Sequence, residues 1–422
     1  MFQKMNLQIG KIPDFFLVAF FLLNSLLFAQ EKEIQIGIIS NPNIKDSWSL
    51  EKNNFGIKPT DLDLEIKWQS EKSKLKYNIN LLLQDESSYF KESFIKYNFS
   101  DSTFLRLGRY YRDFSIYLND ELSSGHILIS NNAQPMQKIG FVTSKKINYF
   151  KSINFDFGLS HGIFDKNNFY NKSPLLHEKF LYININKKNY QFSIGIVHEA
   201  IWGGSTVDDG NQPSSFTDFL RVFFSEDRKI EDYSSVPNNP NWHPNALGNH
   251  VGIWDISYKK KNNGRITKFY YQHIFEDTSG LRFRNEIDGL WGLELKDYIP
   301  KTNVLFEYLH TTNQNMNPPY IAEAYYNHGT YKEGWSYKNY TLGNPFINHL
   351  YVEPLNILHF AANGSISDYL YEIKLSRKTN INDFIKYKIN ISKEIDNSII
   401  IGFSVINSDQ EVGLAASFSW TL

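Results

Sequence analysis

The chain contains no cysteine in 422 residues, so no disulfide can hold it, and its stability must come from hydrogen bonding and packing alone. That excludes the small stapled secreted domains. Charge of either sign is not in excess: 44 basic and 45 acidic side chains leave a formal net charge of −1. Such a balance gives no electrostatic case for a nucleic-acid partner. Past the first 30 residues no run is long and apolar enough for a membrane-spanning helix, which needs about 20 such residues. Signatures of catalysis are missing too. There is no G-x-S-x-G, no H-E-x-x-H, no P-loop and no G-x-G-x-x-G, the short patterns that place a nucleophile, a zinc ion or a phosphate.

What is present begins with a leader. Lys4 and Lys11 precede an apolar run from Phe15 to Phe28, then Ala29-Gln30, after which "EKE" raises the charge density at once. This order reads as a secretory signal over residues 1–30, removed near Ala29. Its removal takes away Lys4, Lys11 and Asp14, leaving 44 − 2 = 42 basic and 45 − 1 = 44 acidic groups, net −2. Mean hydropathy is −0.41, yet aromatics make up 16% of the chain, with 26 Tyr and 33 Phe. A chain that is polar overall, exported, rich in aromatics and without spanning helices has the profile of an outer-membrane β-barrel. A soluble all-β lectin or sandwich shares part of it.

Alternation supports the barrel. In the closing stretch, Val412, Leu414, Ala416, Phe418, Trp420 and Leu422 share one parity, and Glu411, Gly413, Ala415, Ser417, Ser419 and Thr421 the other. A strand projects successive side chains to opposite faces, so one face is greasy and one small or polar. Similar runs recur: Leu62, Leu64, Ile66 and Trp68; Ile153, Phe155, Phe157 and Leu159; Leu181, Ile183 and Ile185; Ile385, Tyr387, Ile389 and Ile391. Turn signals at Lys187–Asn189, Asn262–Gly264, Asp396-Asn397 and Asn407–Asp409 separate such runs, so neighbours should pair antiparallel. Roughly 18 runs follow from Asp61 onward, within the range of outer-membrane barrels. The expectation is an all-β, transmembrane antiparallel barrel over 61–422, an N-terminal extension over 31–60, and a greasy face turned to lipid, because closure removes the edges that a bilayer cannot satisfy.

Long connections interrupt the strands: Ala200–Phe216, Ser225–Asn249 and Thr311–Leu355, while Tyr111–Gly125 could hold a short helix. Connections too long for a hairpin on a rigid scaffold usually carry function. Six stretches, "SSGHILISNNAQPMQKIGF" (Ser123–Phe141), "LHEKFLYI" (Leu176–Ile183), "HEAIWGGS" (His198–Ser205), "GNHVGIWD" (Gly248–Asp255), "SGLRFRNEIDGLWGLEL" (Ser279–Leu295) and "YYNHGTYKEGWSYKNYTLGNPF" (Tyr325–Phe346), resemble the capsule assembly Wzi family. The resemblance runs from about residue 100 to 350 and is most specific in the last two. The final residue, Leu422, departs from the terminal aromatic usual in barrels recognised by the insertion machinery. The resemblance implies an 18-stranded, plugged outer-membrane barrel that binds capsular polysaccharide as a lectin, helps assemble it at the cell surface and catalyses nothing. It assigns no individual sugar contact.

Those contacts must come from chemistry. A polysaccharide offers hydroxyls and apolar sugar faces, which call for aromatic plates beside hydrogen-bonding groups. Tyr325, Tyr326, Trp335 and Tyr337, with Asn327 and His328, supply both in the longest connection; the alternative is that these rings plug the barrel. Arg282 and Arg284, near Asn285 and Asp288, suit an acidic polymer because each guanidinium can clasp a carboxylate; the alternative is an ion-pair network with Asp288 and Glu294. Trp291 reads as an interface-girdle residue. Gly203 and Gly204 read as a tight turn that aims Trp202 inward, toward the same site. His198 with Glu199, and His250 with Asp255, lack the clustered spacing of a metal site, so neither metal nor cofactor is expected. The partners expected are surface polysaccharide, outer-membrane lipid and the insertion machinery, with the chain a monomer. A porin-like sugar channel is the alternative function, and an outer-membrane hydrolase has only scattered Ser, His and carboxylates to support it.

Overall fold

The computed structural model describes residues 31–39, 62–70, 74–84, 87–115, 121–147, 152–229, 232, 246–276, 278–313, 325–379, 384–396, 398–408 and 411–421. The leader expected over 1–30, the whole of 40–61 and Leu422 lie outside them.

Eighteen antiparallel strands close on themselves. They are β1 Glu31–Ile39, β2 Leu62–Ser70, β3 Leu75–Gln84, β4 Ser93–Ser100, β5 Thr103–Arg109, β6 Gln137–Lys146, β7 Ile153–Ile163, β8 Leu175–Asn186 and β9 Tyr190–Trp202. The circuit continues through β10 Asn249–Asn262, β11 Arg265–Phe275, β12 Gly289–Lys296, β13 Thr302–His310, β14 Asn356–Ile366, β15 Tyr369–Lys378, β16 Phe384–Asp396, β17 Ile399–Ser408 and β18 Glu411–Thr421. A three-residue segment, Ser88–Phe90, shares strand β3 with β4, so the sheet's 19 pieces make 18 staves. Each strand pairs with the next, and β1 pairs with both β2 and β18, with Ile34 opposite Trp420 at the seam. The barrel thus closes through residues 31–39, ahead of position 61 where alternation suggested it begins. The pairing of Ile34 and Ile36 with Trp420 and Phe418 gives the reason: an alternating strand next to the greasy final strand finishes the lipid face.

Connections separate the two ends. At one end the links are short, as at 101–102, 187–189, 263–264 and 367–368. Asn263 and Gly264 both adopt positive φ there, the mirror-image turn that matches strand twist. At the other end lie 110–136, 164–174, 203–248, 276–288 and 311–355.

Outward side chains are apolar and exposed along the wall, among them Phe157, Leu181, Phe269, Phe306, Phe403 and Leu414. The last strand follows its alternation: Val412, Leu414, Phe418 and Trp420 are exposed. Trp291 also faces out, stacked on Tyr271 at 3.8 Å. Exposure of this kind is unfavourable in water by about 25 cal/mol per Å² and disappears as a cost in hydrocarbon.

Inward positions divide the barrel along its axis. Towards the short turns they are polar, with Asp156, Asn184, Lys388 and Asn390. Towards the long connections they turn apolar, with Leu176, Val197, Ile201, Val251, Ile253, Leu290, Leu305 and Leu309 fully buried in the main hydrophobic cluster. A lumen wall with such a lining is packed against protein. Tyr270 and Tyr182 lie flat over Gly292 and Gly195 of adjacent strands, where any Cβ would collide with the rings; this keeps the aromatics against the wall and leaves the axis for other chain.

Candidate functional site

Two connections fill that space. The deeper one, 110–136, leaves β5 at Arg109 and rejoins β6 at Gln137, its register partner. Its described residues form turns and bends; the helix suggested over Tyr111–Gly125 is absent from them, and 116–120 lie outside. Among the described residues the one α-helix of eight residues, α1 (Phe216–Phe223), stands outside the wall instead, and the plug is loop without helix. Leu122, Ile127, Leu128 and Ile129 of the plug are buried. Polar wall residues hold its backbone: Ser124 N donates to Glu307 Oε2 at 2.6 Å, Ser123 Oγ to Glu307 Oε1 at 2.7 Å, and Ile127 N to Gln272 Oε1 at 3.1 Å. His359 Nε2 lies 2.8 Å from Leu122 O. A non-strand segment at membrane depth is tolerated because every such contact is made inside protein.

Above the plug lies a cap formed by 325–355. Trp335 Nε1 donates to Leu128 O at 2.7 Å, and Tyr326 hydroxyl donates to Ile127 O, so cap and plug are one unit. Ser130 N to Leu342 O at 2.7 Å adds a backbone link. Trp335, Tyr325, Tyr326 and Tyr337 are all buried. Their ring faces therefore pack the interior, and Tyr337 hydroxyl donates to Asp165 Oδ2 at 2.9 Å in the connection 164–174. Asn327 and His328 remain half-exposed. Thr330 N and Tyr331 N both donate to His328 Nδ1, at 3.2 and 3.1 Å, which needs an unprotonated nitrogen. Burial, aided by Arg228, pushes this imidazole below its ordinary range.

The arginine-bearing turn stands beside the cap. Residues 278–281 form a helical turn and Phe283 and Glu286 take positive φ, so "GLRFRNEID" does not alternate as a strand would. Arg282 and Arg284 are exposed. The expected ion-pair network over Asp288 is made differently: Asp288 accepts from Tyr325 hydroxyl at 2.6 Å and from Asn313 N at 3.0 Å, and sits 2.7 Å from His310 Nδ1. Burial pushes the Asp288 carboxyl up, and these three contacts oppose it. Asn285 Nδ2 donates to Tyr325 hydroxyl at 2.7 Å. The structure thus brings Asn285, Asp288 and Tyr325 together at the turn that carries the exposed Arg282 and Arg284. Glu294 faces the lumen elsewhere, one strand from Lys268.

Trp202 is a correction. It points outward, not into the site, because Val197, Glu199 and Ile201 take the lumen parity. The double-glycine turn exists, with φ of 64° and 74° at Gly203 and Gly204, but Trp202 packs on Phe219 of α1 at 5.7 Å.

One acid in the cap carries a pH signature. Glu333 is buried and accepts from Asn167 Nδ2 at 2.6 Å; burial raises its carboxyl to about 7. Folded protein therefore holds a proton that unfolded chain releases near pH 4.5, so stability falls as pH rises from about 4.5 through 7. The span is on the order of 3 kcal/mol. Glu333→Gln should flatten this slope and make the cap more resistant than wild type above pH 7, read as the rate of proteolytic nicking within 325–350 from pH 4.5 to 8. An unchanged slope would place the titrating group elsewhere.

Between the plug and strands β1–β5 a polar cavity of about 590 Å³ persists, lined by Glu65, Lys67, Lys91, Arg106 and Tyr111 among others. Lys91 pairs with Glu65 at 2.7 Å within it.

Comparison with known proteins gives a family and a set of folds. The family described as Capsule assembly protein Wzi matches residues 42–350. No curated protein matches the chain. Similar solved structures include Pseudomonas aeruginosa OccK5 (OpdH), 8% identical over 93% of this chain and 96% of that one, with a TM-score of 0.44. A loop L8 deletion mutant of OmpT, an outer membrane protein of Vibrio cholerae, is 7% identical over 93% and 97%, with a TM-score of 0.33. A mutant of the Rh. blastica porin is 8% identical over 93% and 98%, with a TM-score of 0.38. With scores this low, the closed ladder of strand pairs is what establishes the barrel.

Proposed function

Because the chain belongs to the capsule assembly protein Wzi family and is an outer-membrane β-barrel, we propose that it binds capsular or other surface polysaccharide at its long-connection mouth and helps attach it to the cell surface. Long connections face outward in such barrels, so the cap and the arginine turn are the parts a polymer outside would meet. Arg282, Arg284, Asn327 and His328 make the contacts. Asn285, Asp288, Tyr325, Tyr326, Trp335 and Tyr337 position them from below, and Trp202 braces the wall behind. Leader removal near Ala29 leaves β1 to start the mature barrel, and no chemistry is performed on the polymer.

The observation that carries this reading is the tie between Tyr325 and both Asn285 and Asp288, which anchors the turn that bears the two exposed arginines. Planar donors held in this way suit carboxylates on an acidic polymer. Replacing Arg282 and Arg284 together by Ala should weaken binding of an acidic capsular polysaccharide about tenfold or more, since a hydrogen bond to a charged group contributes about 1.5–3 kcal/mol. Calorimetry on the detergent-solubilised barrel reads this directly. Equal affinity in the variant, or unchanged capsule retention after loss of the gene, would defeat the proposal.

A porin-like sugar path is the second reading. The polar cavity alongside β1–β5 favours it, as a wetted route past the plug.

A further inference from the structure

Helix α1 is built by local sequence and lies where a barrel wall normally meets lipid. Ser215 and Asp218 form a reciprocal N-terminal cap, with Asp218 N donating to Ser215 Oγ at 3.2 Å and Ser215 N to Asp218 Oδ2 at 2.9 Å. Lys179 Nζ, projecting from the outer face of β8, donates to Phe223 O at the other end. Three stripes follow from the helical period. Phe219, Val222 and Phe223 turn to the wall, packing on Trp202 and on the imidazoles of His161 and His177 at 5.2 to 5.4 Å. Arg221 turns to Asp232, at 2.6 Å. Phe216, Leu220 and Phe224, four residues apart, turn away from the protein, with Phe216 74% and Phe224 68% exposed.

What the helix hides shows why that third stripe is apolar. One ladder row runs outward-facing through Leu107, Ile139, His161, His177, Ala200 and His250. In the first two strands the row is bare hydrophobic wall, Leu107 being 58% exposed. In the next strands the same level carries imidazoles, of which His177 and His250 are buried beneath α1 and the residues that follow it. His198 sits 2.8 Å from His250 and 3.1 Å from Ser225. Polar rings at this depth are costly against acyl chains. An amphipathic helix that covers these rings with Phe219 and Phe223 below and presents Phe, Leu and Phe above restores the apolar band where the strands interrupt it.

We propose that α1 is a lipid-seated cover, its Phe216–Leu220–Phe224 stripe lying among the acyl chains at the upper edge of the outer leaflet. Continuity fixes the occupant: the stripe sits level with Leu107 and Ile139, residues of the lipid-facing wall itself. A helix with one apolar face, a charged face and this position behaves as an interfacial element. Arg221, buried between Asp218 and Asp232, has its charge compensated on the remaining side of the helix.

The cysteine-free chain makes the test direct. Phe216→Cys, and separately Leu220→Cys, carry a nitroxide in nanodiscs, beside Leu107→Cys as the lipid standard and Tyr351→Cys, exposed in the cap, as the water standard. Folding of each variant is verified by heat-modifiable gel mobility. The expected result is collision with dissolved oxygen comparable to the Leu107 label and collision with a water-soluble nickel chelate several-fold below the Tyr351 label. Chelate access equal to that of Tyr351 would overturn the proposal. Protection from both reagents would overturn it as well, in favour of a second copy packed on the helix.

Discussion

Replacing residues 110–136 by a short Gly-Ser turn should raise single-channel conductance several-fold in planar bilayers over that of the intact protein. The substitution is geometrically direct, since Arg109 and Gln137 are already paired neighbours and a tight hairpin can join them. An 18-stranded cylinder is wide enough for a solute path once its contents are gone. The intact barrel should pass little current, because plug and cap together occupy the half of the lumen lined by Leu176, Val197, Leu290 and Leu305. Thermal stability should fall in the shortened form, because those side chains lose their packing partners. A large steady conductance in the intact protein would instead favour the porin-like reading, with the cavity beside β1–β5 as the path. Equal currents in both forms would show that the plug does not set the permeability.

The second large effect is expected at Trp335. Its side chain is buried between cap and plug, and its indole N–H is bonded to Leu128 O. Trp335→Ala should cost about 3–5 kcal/mol of local stability, as expected for deleting a large buried ring, and it leaves the Leu128 carbonyl without that donor. The loss should appear as faster amide exchange in both 122–130 and 325–350, with exchange in the wall strands little changed. Trp335→Phe should recover much of the packing but not the hydrogen bond. If exchange quickens in neither segment, cap and plug do not form a single unit. If it quickens and polysaccharide binding falls as well, the buried rings act on the ligand by holding the arginine turn and cap in place.

Much of the wall was legible in the sequence because period-two alternation is a local signal. Runs such as Ile153–Leu159 and Val412–Trp420 placed their greasy parity outside as expected. The strand Glu31–Ile39 was hidden by its setting between an apolar run and a turn-rich stretch, although Ile34, Ile36 and Ile38 do alternate. Trp202 could not be placed from the turn that follows it. Its direction is set by the lumen parity of Glu199 and Ile201, and its burial by a helix connected through a different part of the loop. The plug had a sequence signal that alternation alone obscures: Val251, Ile253, Leu305 and Leu309 occupy lumen positions where a water-filled barrel would carry polar groups. Runs greasy on both faces at one end of a strand mark a barrel with protein inside. In the candidate site, residue types suggested stickiness toward sugars, but only long-range contacts decide which rings are spent on packing. Tyr326 meets Ile127 across 199 positions of sequence, and Trp335 meets Leu128 across 207.

The plug also constrains the order in which the molecule can be made. Segment 110–136 emerges between the fifth and sixth staves, yet its anchors, Gln272, Glu307 and His359, belong to staves synthesised much later. A cylinder sealed at the β1–β18 seam before those anchors engaged would have to admit a bulky loop through its mouth afterwards, against its own walls. Wrapping is the simpler route: later staves curl around a loop already gathered at the centre, and the seam is the final join. Contacts this distant in sequence are slow to form, so the seam has to stay open until the loop's anchors have engaged.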